Sequence, residues 1–133
     1  MKVEKGYNAK KINVIAKSSE ANSVKDASSY LRVPCYRNKD NFICEIIDDV
    51  AFYAGCFGKK YFRLYEMAVS KEAQRKGYGT LMITRIKVAC QARGLQKITL
   101  RTSKTETAIE FYRKHNGVIV GENNGDWEVE IPI

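Results

Sequence analysis

An apolar stretch ends at Val69 and an amphipathic one opens at Gly79. Between them runs Ser70-Lys71-Glu72-Ala73-Gln74-Arg75-Lys76-Gly77-Tyr78. These residue types suit one kind of chemistry. A helix start leaves its first backbone N–H groups without partners, and the helix dipole adds partial positive charge there. Glycine lacks a Cβ, so the main chain can come close to a phosphate. The expected product is an anion site of a size for pyrophosphate, with Arg75 and Lys76 adding charge at its rim. A nucleotide loop of the form G-x-x-x-x-G-K-[ST] is excluded, because no lysine follows Gly79. A dinucleotide fingerprint is excluded because Met82 stands where its third glycine belongs. What remains is Q-x-x-G-x-G, formed by Gln74, Gly77 and Gly79.

The other reactive side chains point to less. The chain has four cysteines, Cys35, Cys44, Cys56 and Cys90, and one histidine, His115. None forms a C-x-x-C pair, so no metal site is expected. The first residues do not read as a secretory signal. The expected compartment is therefore the cytoplasm, and the cysteines are expected to be free core thiols rather than a disulfide framework. A nucleophilic pair of Cys90 or Cys44 with His115 lacks an identifiable third group to orient it. The formal net charge is +8. Residues 71–104 hold nine basic side chains against the single acid Glu72, which is a field for polyanions: a phosphorylated cofactor, nucleic acid or an acidic protein.

The elements that must position these groups follow from periodicity. With 133 residues, 44% hydrophobic and 29% charged, one compact domain is expected. No apolar run is long enough to span a membrane. Residues 12–15 read as a first strand. A helix is expected through Val24, Ala27, Tyr30 and Leu31, ending at Pro34. Residues 42–47, 50–57 and 61–69 read as an antiparallel meander turned at Asp48-Asp49 and Gly58-Lys59-Lys60. In the last of these, Leu64, Glu66 and Ala68 are expected to share one face. A helix over 79–93 is capped by Gly94, a strand follows at 98–101, and a second helix starts at Thr105 or Glu106 and closes at Gly117. Residues 118–120 and 127–131 pair around Asn123-Asn124-Gly125-Asp126. The fold class is α/β, with a mixed, mostly antiparallel sheet.

At this point the sequence resembles the GNAT family of N-acetyltransferases. Their cofactor signature, Q/R-x-x-G-x-G/A, lies between the fourth strand and the next helix. The segment Ala108-Ile109-Glu110-Phe111-Tyr112-Arg113-Lys114-His115-Asn116-Gly117 resembles the family's second signature, A-x-x-[FL]-Y-x-K-x-G-[FV]. The resemblance covers roughly residues 61–120. It implies that acetyl-CoA is the cofactor and that main-chain amides of Gln74, Arg75, Lys76, Gly77, Tyr78, Gly79 and Thr80 hold its pyrophosphate. It further implies that Met67, Ala68 and Val69 pair with the pantetheine arm as an added strand would, where the fourth and fifth strands splay.

The resemblance also implies direct attack of an amine on the thioester. Tyr112 matches the family's general acid. Glu66, just before the cofactor-pairing segment, is the expected base, with Tyr65 or His115 as substitutes. Thr105 stands where the family often has asparagine, to cap the helix or meet the cofactor. The N-terminal half is short, with about one helix where two are usual, so the acceptor is unassigned. The expected activity is transfer of an acetyl group to a primary amine of a small molecule or peptide. The alternatives are transfer to charged tRNA, a catalytically inactive acyl-CoA-binding module, and a nucleic-acid-binding protein. No aromatics interleave the basic run, which counts against the last. A homodimer is left open.

Overall fold

The computed structural model describes residues 1–19 and 34–133. These form strands β1 (Val3–Lys5), β2 (Phe42–Ile47), β3 (Ala51–Phe57), β4 (Tyr61–Val69), β5 (Lys97–Thr102), β6 (Val118–Asn123) and β7 (Asp126–Pro132). Helices α1 (Ala9–Ser19), α2 (Tyr78–Ala92) and α3 (Glu106–Lys114) accompany them, with short 3-10 turns at Pro34–Arg37 and Lys71–Ala73. The strands make one sheet in the order β1-β2-β3-β4-β5-β7-β6. Every neighbouring pair is antiparallel except β4 and β5. A parallel pair needs a crossover, and α2 supplies it. The mixed, mostly antiparallel α/β class read from the sequence is the one found.

Two hairpins close as their turn residues require. Asp48 and Asp49 have φ of 50° and 57°, and Asn124 and Gly125 have 50° and 86°. These are the left-handed conformations that Asn, Asp and Gly tolerate best. One core lies between the sheet and α2, built on Tyr53, Phe62, Leu64, Met82, Ile83, Ile86, Ile98 and Leu100. A smaller one lies on the opposite face under α1, built on Ile12, Ile15, Tyr36, Ile46, Phe52, Ala54 and Ala68. No helix among the described residues is long and apolar enough to cross a membrane.

Three expectations are corrected. Residues 12–15 are not a strand but the middle of α1, whose buried residues Ile12, Ile15, Ala16 and Ser19 follow a helical spacing. Asn8 starts the helix, its Oδ1 accepting the Lys11 N–H at 3.2 Å, as a capping side chain does. The short run of β-branched residues outweighed these two signals in the sequence. The helix expected through Val24 to Leu31 lies outside the described residues.

The second correction concerns β4. Leu64 pairs with Gly55 and Glu66 with Ala54, so Tyr65 is an extra residue without a partner on β3. This bulge breaks the alternation. Phe62 and Leu64 belong to the α2-side core, whereas Ala68 belongs to the α1-side core. Glu66 lies on the α1 side with Ala68, so Leu64 does not share their face. Gly55 permits the bulge, since a Cβ there would stand 2.4 Å from the Arg63 carbonyl and from the Phe62 ring. An isolated glycine inside a strand pattern is the sequence signal for such a feature.

The third concerns the thiols. Cys35 and Cys56 form a disulfide, their Cα atoms 6.3 Å apart. The 3-10 turn at Pro34–Arg37 folds over β3 and brings together residues whose separation in sequence carries no pairing signal. Cys44 and Cys90 are free and buried.

Candidate functional site

The crossover from β4 to β5 makes the site. Parallel pairing holds only from Tyr61–Lys97 to Leu64–Leu100. Beyond the bulge, Glu66 to Val69 stay on β3 and do not pair with β5, while Arg101 and Thr102 stay on β7. The sheet therefore opens as a wedge with its apex at Leu64 and Tyr65. The ladder decides which groups line it. Ser70 N–H donates to the Val50 carbonyl at 2.7 Å. By the alternation of an antiparallel pair, Ala68 is also bonded to β3, and Met67 and Val69 turn their N–H and C=O toward the wedge. Of the three residues expected to meet a cofactor arm, the geometry leaves Met67 free to do so, leaves Val69 its N–H alone because its carbonyl accepts from Gln74 Nε2, and commits Ala68 to the sheet.

The wedge mouth leads to the loop and the first turn of α2. Gly77 is the N-cap with φ 90°, and a Cβ on it would meet nothing within 4 Å. Glycine is needed there for the backbone conformation, and the space beside it is open. Gly79 has a different reason. A Cβ would stand 2.8 Å from the Phe111 ring, so this glycine lets α3 pack on α2. Among the described residues, no acceptor takes the N–H groups of Arg75, Lys76, Gly77, Tyr78, Gly79 or Thr80. Six donors converge on one bend that also carries the helix dipole, which is an anion cradle.

Gln74 departs from expectation. Its N–H donates to the Lys71 carbonyl, and its side-chain Nε2 donates to the Ser19 and Val69 carbonyls, both at 3.1 Å. It ties the loop to α1 and β4 and offers no amide to a ligand. Tyr78 likewise turns inward, its hydroxyl donating to Asp48 Oδ2 at 2.8 Å. Thr80 Oγ1 lies 3.2 Å from His115 Nε2, a second tie between α2 and α3. Burial, then Lys87 and Lys114, hold the His115 pKa below its ordinary value, so the ring is neutral near pH 7. Thr105 caps α3, with its Oγ1 accepting the Ala108 N–H.

The two expected proton-transfer residues lie on opposite sides of the sheet. Glu66, 4% exposed, accepts hydrogen bonds from Tyr36 at 3.0 Å and Tyr7 at 3.2 Å on the α1 side. Neither tyrosine was read from the sequence, since nothing local links residues 7, 36 and 66. Tyr112 packs against the α2-side core, and its hydroxyl has no hydrogen-bond partner among the described residues. Burial pushes its pKa up to about 12, so it stays protonated as an acid must. The Cys–His alternative fails. Burial drives the Cys90 thiol up to about 11 and the Cys44 thiol higher still, and a thiol is not a nucleophile until ionised.

Four of the nine cations of the basic run are answered by acids distant in sequence. Arg85 forks onto Glu45, Lys97 meets Glu130, Arg101 meets Asp126 and Lys104 meets Glu122. Arg75, Lys76, Lys87 and Arg93 have no acidic partner among the described residues. Two of these cations stand on the loop itself, while Lys87 lies farther along α2 and Arg93 at its C-terminal end.

A family model described as an acetyltransferase (GNAT) domain matches residues 37–116. No curated protein sequence matches the chain. Several solved structures share the fold. An N-acetyltransferase, PaiA, of Thermoplasma acidophilum in complex with coenzyme A is 12% identical with a TM-score of 0.69, over 100% of both chains. The ribosomal-protein-S18-alanine N-acetyltransferase of Escherichia coli is 13% identical with a TM-score of 0.76, over 99% of this chain and 94% of its own. A Bacillus subtilis acetyltransferase in complex with CoA is 16% identical with a TM-score of 0.70, over 99% and 98%. At these identities the likeness is one of fold.

Proposed function

Because the chain belongs to the GNAT acetyltransferase family, we propose that it is an acetyl-CoA-dependent N-acetyltransferase acting by direct transfer to a primary amine. The observation that carries this reading is the wedge between β4 and β5 leading to six unused N–H groups on one bend. An acyl-CoA has the complementary shape: a diphosphate for the bend, and an amide-bearing arm that can add to the edge of β4 at Met67 and Val69. Two fold neighbours are recorded with coenzyme A, which supports the same ligand here.

The thioester carbon then stands at the wedge apex. The nitrogen lone pair of the neutral amine forms the C–N bond, and the C–S electron pair leaves on sulfur. Glu66 takes the proton shed by nitrogen, directly or through water. Tyr112 donates one to the thiolate. A main-chain N–H on the free edge of β4 steadies the oxyanion. Positioning supplies most of the acceleration, on the order of 7–11 kcal/mol for well-oriented reactants.

The test has two stages. Acetyl-CoA at a hundred times its Kd raises stability by about 2.7 kcal/mol, seen as a higher Tm. Absence of any shift sinks the assignment. Thiol release with an accepted amine then reports turnover. Tyr112→Phe lowers kcat by about 100-fold with acetyl-CoA affinity retained, and wild-type kcat in that variant removes its role as acid.

A further inference from the structure

None of the six N–H groups of the cradle bonds to a described residue, so they do not fix the bend themselves. Arg75 and Gly77 take left-handed φ of 64° and 90°, and residues 75–77 are exposed. Two side-chain ties bracket them. Upstream, Gln74 Nε2 reaches the Ser19 and Val69 carbonyls. Downstream, the Tyr78 hydroxyl donates to Asp48 Oδ2 at 2.8 Å. Only Arg75, Lys76 and Gly77 lie between the two tied residues. The first tie is made by a residue of the Q-x-x-G-x-G loop. The second comes from the turn between β2 and β3, which has no other part in the site.

Asp48 is itself well fixed. Its N–H donates to the Lys2 carbonyl at 2.8 Å, and its Oδ1 accepts the Lys2 N–H at 2.7 Å. The same turn meets the end of β4, where Ser70 N–H donates to the Val50 carbonyl. One carboxylate thus holds β1 through one oxygen and α2 through the other. The bond to Tyr78 is not needed to seat α2. Met82, Ile83 and Ile86 of that helix are at most 1% exposed, and Arg85 forks onto Glu45. Tyr78 is instead the first residue of α2, directly after the N-cap Gly77. A tie at this point acts on the first turn, whose amides must converge before an anion arrives. Donors held in place beforehand lose less freedom on binding.

We propose that Asp48 is a positioning residue for the diphosphate of the cofactor. It acts through the Tyr78 hydroxyl, fixing the first turn of α2 so that the cradle is formed in advance. This rests on the acetyl-CoA reading, and the experiment separates the two.

Calorimetry on the full chain measures the Kd of coenzyme A for wild type, Tyr78→Phe, Asp48→Gly and the double variant. Glycine accepts the left-handed φ of residue 48, so the turn is kept, and melting curves check each fold. Each single variant is expected to raise Kd about fivefold, the worth of one hydrogen bond. The double variant is expected to match Asp48→Gly, because both changes remove the same bond. A purely structural bond would lower the Tm and leave Kd where it was. Should Asp48→Gly fail to fold, Tyr78→Phe alone decides. A Kd within about twofold of wild type in either folded single variant, or additive losses in the double variant, overturns the assignment while cofactor binding stands. If wild type does not bind coenzyme A, both fall.

Discussion

At Gly79 a single methyl group would collide with the edge of Phe111, and the consequence is specific. Gly79→Ala forces that ring, and with it α3, away from α2. The expected cost is about 1–3 kcal/mol in denaturant unfolding, as for other overpacked contacts, together with weaker acetyl-CoA binding. Phe111→Leu in the same chain recovers part of the loss, because the two changes act on one contact. Additive losses in that double-mutant cycle would show that Gly79 matters for another reason. Gly77 tells a different story, with open space around it and a left-handed backbone. One glycine of the motif thus serves packing and the other conformation.

Among the elements, α2 has two jobs: it must present its first turn to the loop and stay seated on the sheet. A buried cluster secures it. Arg85 of α2 donates from Nε and Nη2 to the two oxygens of Glu45 on β2 at 2.8 Å and 2.9 Å, and Tyr53 of β3 donates to the same carboxylate. Burial opposes the charge on Glu45, but the hydrogen bonds from Arg85 and Tyr53 outweigh it and hold the pKa below the ordinary value. A carboxyl depressed in the folded state contributes stability above its unfolded pKa and loses it as pH falls. Glu45→Gln is therefore expected to cost about 2–3 kcal/mol near pH 7. The gap from wild type should narrow below about pH 4, as urea unfolding at the two pH values can measure. An equal gap at both would mean that shape, not charge, is what Glu45 supplies.

Across the whole molecule, buried phenols set the response to alkali. Tyr36 and Tyr53 are 2% and 0% exposed, and burial, followed by the neighbouring Glu66 and Glu45 respectively, raises both pKa values well above the usual 10. Tyr112 rises to about 12 through burial. A raised phenol keeps its proton in the folded chain after the unfolded chain has lost it. Stability is then intact below about pH 10 and falls above it, by up to about 1.4 kcal/mol per pH unit for each such group. The Tm should hold level between pH 7 and about 9.5 and drop steeply beyond. A level Tm up to pH 11 would contradict the burial of the Tyr36 and Tyr53 hydroxyls.

Local order was written in the chain where neighbours in sequence decide it. The glycine loop, the crossover helix, the turn at Asp48-Asp49, the cap at Thr105 and the meander follow from spacing and turn chemistry, and so did the family. Even α1 was legible in Asn8 and the helical spacing of Ile12, Ile15 and Ala16, although its β-branched run imitates a strand. Tertiary structure decided the rest, because it depends on residues far apart in the chain. The extra residue in β4 is visible only against its partner strand, yet it parts β4 from β5 and puts Tyr65 and Glu66 at the wedge apex. The tyrosines that grip Glu66, the bond between Cys35 and Cys56, and the acids that answer the basic run have no local signature. Hydrogen bonds, ion pairs and disulfides act over a few ångströms in space, whatever their separation in sequence, and only folding sets that distance.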